Sequence, residues 1–343
     1  MRAFDRRTFL VTAAAAAQAQ TPARKVRIAF LGASHSHAHD KIILAAHLPE
    51  WDLAGIVEPN AEVREPYVKA GIRVLSREEA LGDPSIEVIA VESEVKRHAE
   101  DGIAALEAGK HIHLEKPPSY RMADMHRIVT VARAKNRLVQ MGYMWRHHTG
   151  LNQILNAARQ GWLGDVYMVR GTMNTLIGPD RRPEWALFKG GQMFEQGAHI
   201  IDPIVRLMGA PKSIHPYLHS DGPYTDGLKD NTAVVLQYPK ALAIVTSAVL
   251  QPNANPHRSF EVLGTNGTAV LRPIEPPRLE FDLEKPAGTL QAGRQVIPLP
   301  TFNRYVGDLR ELAACVRDNK PLPVTLDQDL LVEEVLLTAS EMI

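Results

Sequence analysis

Between Val26 and Met141 the chain alternates short apolar runs with helical patterns, and this alternation restricts its fold more than any other feature. Six β-rich runs occur, at Val26–Leu31, Leu53–Val57, Ile72–Leu75, Ile86–Val91, His111–Leu114 and Leu138–Met141. Helical patterns separate them at Ala38–His47, Ala61–Ala70, Arg97–Ala108 and Ala123–Ala134, with a helical turn near Glu78–Leu81. Connections this long cannot be hairpins, so the strands are parallel neighbours joined by right-handed crossovers in a doubly wound sheet. The fifth run ends in Glu115-Lys116-Pro117-Pro118. Pro117 offers no backbone N–H, so the strand stops there. Lys116 is left at the carboxyl end, where open α/β sheets bind their ligands.

After Met144 the pattern changes. A helix over Leu151–Arg159 leads into a strand at Val166–Thr172, and a second helix covers Gln196–Leu207. Further β-rich runs at Thr232–Gln237, Leu242–Val249, Ser259–Leu263, Ala269–Leu271 and Leu279–Leu283 are divided by Gly, Pro and Asn, as in a largely antiparallel open sheet. Helices at Tyr305–Arg317 and Gln328–Glu341 finish the chain. A length of 343 residues suits two domains. The reading is an α/β fold: a Rossmann domain over 23–144 and an α+β substrate-binding and oligomerisation domain over 145–343, whose last helices can pack back on the first. The apolar alternation of Leu242–Val249 needs cover on the outer sheet face, so a homo-oligomer is expected.

Charge is balanced at 39 basic and 39 acidic residues, which argues against nucleic acid held by a broad basic field. The single cysteine, Cys315, excludes an internal disulfide and any Cys-x-x-Cys site. Residues 1–22 read as an export signal rather than fold. Arg6-Arg7 precedes a short alanine-rich run and Ala17-Gln18-Ala19, the order of a twin-arginine signal with a small-x-small cleavage site. That run is too short to span a bilayer, so an exported, periplasmic or extracellular protein without a membrane span is expected.

A dinucleotide fold needs a glycine turn after strand one, a helix N-terminus for the pyrophosphate and an acid after strand two. Gly32 and Glu58 take the first and last places, and a carboxylate at Glu58 favours NAD over NADP by repelling a 2′-phosphate. The intervening turn, Gly32-Ala33-Ser34-His35-Ser36-His37, keeps the small Ser34 but puts His37 where the fingerprint has glycine. His35, His37 and His39 invite a metal reading, with His113, Glu115, His147 and His148 as partners in space. No local spacing fixes such a site, and the histidines are read as serving the helix cap and the phosphates.

Three further segments carry a resemblance. Ala104-Ala105-Leu106-Glu107-Ala108-Gly109-Lys110-His111 followed by Glu115-Lys116-Pro117, then Gln140–Arg146, then Gly190–Asp202 together resemble the glucose–fructose oxidoreductase/inositol dehydrogenase (Gfo/Idh/MocA) family. The resemblance runs from about Val26 to the last helix. It implies that Lys116 is the catalytic lysine and His199 the general acid/base, with Glu195 where the family has an aspartate four residues earlier. Glu195 and His199 would share a helix face. Along the cofactor it implies Gly32, Ser34, His35, His37, Glu58, Ser93, Glu94, His98, Glu115 and Lys116. Arg146, His147 and Asp202 would meet the substrate, Asp202 also orienting His199. Ser93-Glu94-Val95 departs from the family's Thr-Pro-Asn beside the nicotinamide.

The implied function is NAD-dependent hydride transfer on a sugar, polyol or derivative. Two alternatives stay open: NAD-requiring glycoside cleavage by transient oxidation and elimination, and a metal-dependent lyase or sugar-binding protein without redox turnover.

Overall fold

A computed structural model describes residues 24–343; the expected export signal lies outside the described residues. The first sheet has five parallel strands, β1 (Val26–Leu31), β2 (Trp51–Val57), β3 (Val88–Val91), β4 (His111–Leu114) and β5 (Val139–Met141), in the order β2-β1-β3-β4-β5. The order reverses between β1 and β3, which opens the crevice of a doubly wound sheet at their carboxyl ends. Five helices cover it: α1 (Ala38–His47), α2 (Ala61–Lys69), α3 (Arg77–Gly82), α4 (His98–Glu107) and α5 (Met122–Lys135). The strand expected at Ile72–Leu75 is reduced to a single bridge between Val74 and Ile56. Ser76 caps α3 through a reciprocal capping box with Glu79, so the backbone turns into a helix before a strand can extend.

The second sheet has eight strands: β6 (Val166–Thr172), β7 (Ser213–His219), β8 (Asn231–Gln237), β9 (Leu242–Ala248), β10 (Ser259–Gly264), β11 (Gly267–Leu271), β12 (Leu279–Leu283) and β13 (Gly293–Ile297). Their order is β13-β12-β11-β10-β6-β9-β8-β7, antiparallel except where β6 meets β9. The sequence does not announce β7 and β13, and both are edge strands. Their side chains are half-buried or exposed on both faces, so they need no apolar alternation, and β7 even carries Pro216.

One face of this sheet packs on α6 (Thr149–Arg159), α8 (Ala198–Met208) and α10 (Leu326–Ala339). Ile200, Ile201, Ile204 and Val205 of α8 are buried, each contributing about 1.5–3 kcal/mol by removal from water. Gly171 permits the close approach: a Cβ there would lie 2.2 Å from the Ile200 side chain. The helix α9 (Val306–Asp318) places Leu309, Leu312 and Ala313 in the core around β1, and α10 touches α5. The last two helices thus pack on the first domain and close the cleft from behind.

Candidate active site

Three adjoining cavities form one cleft along the carboxyl edge of the first sheet. The first, about 430 Å³, is lined by Gly32, Ser34, Glu58, Ser93, Glu94, Arg64 and others. Ser34 is shared with a second cavity of about 280 Å³ that contains His35, Ser36, Lys116 and Glu195. Ser36 is shared in turn with a third, about 300 Å³, lined by His37, His199, Arg181, Trp185, Arg258 and Arg304.

The first cavity has the features a dinucleotide needs. Gly32 adopts φ +84°, and a Cβ there would fall 2.4 Å from Ser93 Cα, so only glycine lets β1 and β3 end this close. The Glu58 carboxylate accepts from the amides of Ala33 and Asn60, each at 2.9 Å, which pins it at the rim with lone pairs to spare. The Ser93 hydroxyl is buried without a partner. Among the described residues the Ser34 and Ser36 amides make no hydrogen bond, which leaves two donors beside the start of α1 for phosphate oxygens. These residues fit NAD. Arg64 lies in the same cavity, its guanidinium on the carbonyl oxygen of Pro59 at 2.8 Å. Glu94 is exposed and pairs with Lys96 at 2.9 Å.

His98 is placed differently. Its ring is buried, with one nitrogen 2.8 Å from the Pro117 carbonyl oxygen and the other 3.0 Å from that of Ser93. It fastens the end of β3 to the Lys116–Pro117 turn, and it does not line the first cavity.

Lys116 stands in the turn just past β4, which stops at Leu114 ahead of its proline neighbour. Its ammonium donates to the Glu195 carbonyl oxygen at 3.0 Å and lies 3.6 Å from the Glu195 carboxylate. Burial pushes the Glu195 carboxyl up, while the Lys116 charge opposes this. The helix expected from Gln196 begins instead at Ala198, preceded by a π turn over Met193–Gly197 that carries Glu195. Such turns recur at functional sites because the wider loop displaces side chains from the regular helical face. His199 follows in the first turn of α8, buried, with Nδ1 unpartnered and its ring 5.1 Å from that of Trp145. Burial, with Lys116 and His37 nearby, holds its pKa well below the ordinary value, so the imidazole is neutral and can accept a proton.

The histidine-rich turn does something the sequence does not disclose. His37 turns toward His199, ring centroids 6.2 Å apart, and its Nδ1 is 3.0 Å from the Glu115 carboxylate. Behind it lies a fully buried cluster in which the Lys41 ammonium contacts Glu92 at 2.7 Å, Glu115 at 2.5 Å and His113 Nε2 at 2.8 Å. Burial alone would raise Glu115, but Lys41, His37 and His35 hold it well below the usual carboxylate range. Burial pushes Glu92 up to about 8. Among the residues of the metal reading, His35, His37 and Glu115 gather, but His39 lies tilted against Tyr67 and His148 bonds the Ile274 carbonyl. Lys41 supplies the cation to the second acidic group, Glu92, His113 and Glu115. Lys41 was legible only as a polar residue on α1; no spacing rule connects it with β3 and β4.

The three residues expected at the substrate do not line the third cavity. Arg146 is buried between Asp202, at 2.7 and 2.9 Å, and Asp329, at 2.7 Å. Its Nε and Nη2 are spent on these carboxylates, so its charge is met within the protein and not by a sugar. His147 lies 3.4 Å from Glu311 of α9. Arg146 stands in the turn after β5, and the network joins that turn to α8 and α10. Arg258 and Arg304, which do line the cavity, sit before β10 and α9 in segments without a motif.

A parallel dinucleotide-binding domain joined at its ligand edge to a mixed-sheet domain, with lysine and histidine meeting between them, defines a two-domain nucleotide-dependent oxidoreductase. The chain belongs to the Gfo/Idh/MocA oxidoreductase family. Residues 26–143 match its "Oxidoreductase family, NAD-binding Rossmann fold" model and residues 151–270 its C-terminal domain model. It is similar to the scyllo-inositol 2-dehydrogenase (NADP(+)) of Bacillus subtilis, 25% identical over 337 residues, covering 92% of this chain and 93% of that protein. Inositol 2-dehydrogenase of Salmonella typhimurium is 28% identical over 195 residues, 56% of each chain. Among solved structures, a levoglucosan dehydrogenase with NADH and levoglucosan superposes at a TM-score of 0.78 with 17% identity, covering 93% of this chain and 98% of that one. An aldose-aldose oxidoreductase from Caulobacter crescentus gives 0.79 with 22% identity, covering 93% and 98%. The structural likenesses establish the fold.

Proposed function

We propose that this oxidoreductase oxidises a CH–OH group of a sugar, a polyol or a derivative, with NAD. The observation that carries it is the placement of Lys116 in the second cavity, which adjoins the cofactor cavity, and of neutral His199 in the third cavity next to it. NAD, when bound, supplies the hydride acceptor. Lys116 donates a hydrogen bond to the substrate oxygen and stabilises the charge developing there. His199 accepts the hydroxyl proton through a ring nitrogen. The experiment is a screen of sugars and polyols for NADH formation by protein supplied with NAD. No NADH and no NAD binding would overturn the reading.

The glycoside-cleaving alternative has one observation in its favour. His37, held by Glu115, puts a second imidazole on the same cavity, and elimination needs a second base beside the new carbonyl. Glycoside loss without NADH accumulation would select that reading.

We also propose that the protein is exported by the twin-arginine route, supported by Arg6-Arg7 and Ala17-Gln18-Ala19. Among the described residues no helix is long and apolar enough to cross a membrane. Pairing of the second sheet between two copies is proposed as well. Exposed Tyr167, Tyr217, Leu242 and Val296 all lie on its strands and support it. Light scattering at chain mass would contradict the pairing, and a cytoplasmic, uncleaved native protein would contradict export.

A further inference from the structure

The third cavity carries more positive charge than its own residues neutralise. Arg181, Arg258 and Arg304 line it, and Asp180 is the one carboxylate among its lining residues. Arg304 is already paired: its Nε donates to Glu275 at 2.6 Å, and Glu275 also accepts from Trp145 at 2.6 Å. Arg181 is exposed beside Asp180 in the chain, its guanidinium 5.5 Å from the centre of the Trp185 ring. Glu184 lines only the neighbouring cavity.

Arg258 is the exception. It is half-buried, its Nε donates to the Asn174 carbonyl oxygen at 2.9 Å, and no carboxylate lies within salt-bridge distance among the described residues. That single bond fixes the guanidinium plane and leaves its terminal nitrogens unspent. The charge reaches the reacting region, since it is one of the influences that keep His199 neutral. The Glu275 charge reaches Arg258, but its oxygens are bonded to Arg304 and Trp145, so Arg258 has no carboxylate of its own. A half-buried guanidinium in that position is costly to hold, and the counter-charge it matches best is a planar carboxylate taken by two parallel N–H bonds.

We infer that the substrate is a sugar acid, a polyhydroxy monocarboxylate bound by Arg258, with its reacting hydroxyl at Lys116 and His199. Counting Glu275 and Asp180 against Arg181, Arg258 and Arg304 leaves one positive charge, which a monoanion satisfies. A dianionic phosphate would overshoot it. The inference rests on the oxidoreductase reading for its chemistry but not for its binding site.

Calorimetry on the NADH-loaded protein tests it, with a hexuronate, an aldonate, the matching neutral hexose and polyol, and a hexose phosphate as probes. The acids are expected to bind about 10- to 100-fold more tightly than their neutral counterparts, the range for hydrogen bonds to a charged group. Arg258→Gln is expected to collapse that ratio toward one and Arg258→Lys to restore part of it, with NADH binding by each variant reporting a folded protein. Equal binding of acid and neutral sugar, an acid advantage that survives Arg258→Gln, or tighter binding of the hexose phosphate would each overturn the inference. Acid binding without any NADH formation from NAD would sink the oxidoreductase reading and leave this site standing. NADH formation from neutral sugars alone would do the reverse.

Discussion

The Lys116 ammonium donates to the backbone carbonyl oxygen of Glu195 at 3.0 Å, although 79 residues separate them. One residue stands in the turn just past the fourth strand of the first sheet and the other sits in a π turn of the second domain. The bond therefore spans the domain junction at the point where a reacting hydroxyl would lie. A lysine tied to a carbonyl keeps its position and still has a donor hydrogen to offer a substrate.

Loss of the proton acceptor should separate chemistry from binding. His199→Ala is expected to lower the rate of hydride transfer by roughly 10²–10⁴-fold, the usual worth of a general base. NAD affinity should stay nearly unchanged, because His199 lines the third cavity and not the first. Single-turnover kinetics with nucleotide titration measures both, and a rate within a factor of three of wild type would remove His199 from the mechanism.

Glu58 is expected to set the nucleotide preference. Its charge faces the ribose end of the first cavity, with the Arg64 guanidinium close by on Pro59. Glu58→Gln removes the repulsion and leaves Arg64 to meet a 2′-phosphate, so the NAD-to-NADP affinity ratio is expected to fall by about tenfold or more. Tighter NADP than NAD binding by the wild type would refute the assignment at once.

The buried cluster makes Lys41 a stability residue. Removing one partner of a buried ion group leaves its neighbours uncompensated and costs about 3–5 kcal/mol. Lys41→Met strands Glu92 and Glu115 together. Chemical denaturation should show a loss of that order, and a change below about 1 kcal/mol would mean that the pair protonates and relaxes without strain.

Histidine burial predicts an acid-side slope. Burial pushes His113 down to about 3, so between the ordinary value of 6.5 and about 3 the unfolded chain holds a proton that the folded chain lacks. Its contribution to stability is therefore present above pH 6.5 and lost as pH falls through that window. The slope is about 1.4 kcal/mol per pH unit for one proton. His113→Gln should flatten the pH dependence of stability by one proton in this window, checked by denaturation across the range. An unchanged slope would mean that the ring titrates in the folded protein.

Much of the architecture was readable because it rests on local rules. Strand–helix alternation over Val26–Met141 follows from side-chain period alone, and it determined the parallel sheet; Pro117 was enough to show that the strand stops before it and leaves Lys116 at its carboxyl edge. Gly32 and Glu58 were readable because a turn and a strand end have residue preferences that hold wherever the chain goes. What the tertiary structure decided was where side chains meet across large sequence separations. It sent Arg146 to Asp202 and Asp329 instead of to a substrate, turned His37 toward His199, and buried Lys41 among Glu92, His113 and Glu115. It also brought Arg258 beside the reacting region from a segment with no motif. The physical reason is that a periodic pattern reports which face of an element is buried. The partner waiting on that face is set by strand order and by the packing of one domain on the other, and neither is written in any short stretch of chain.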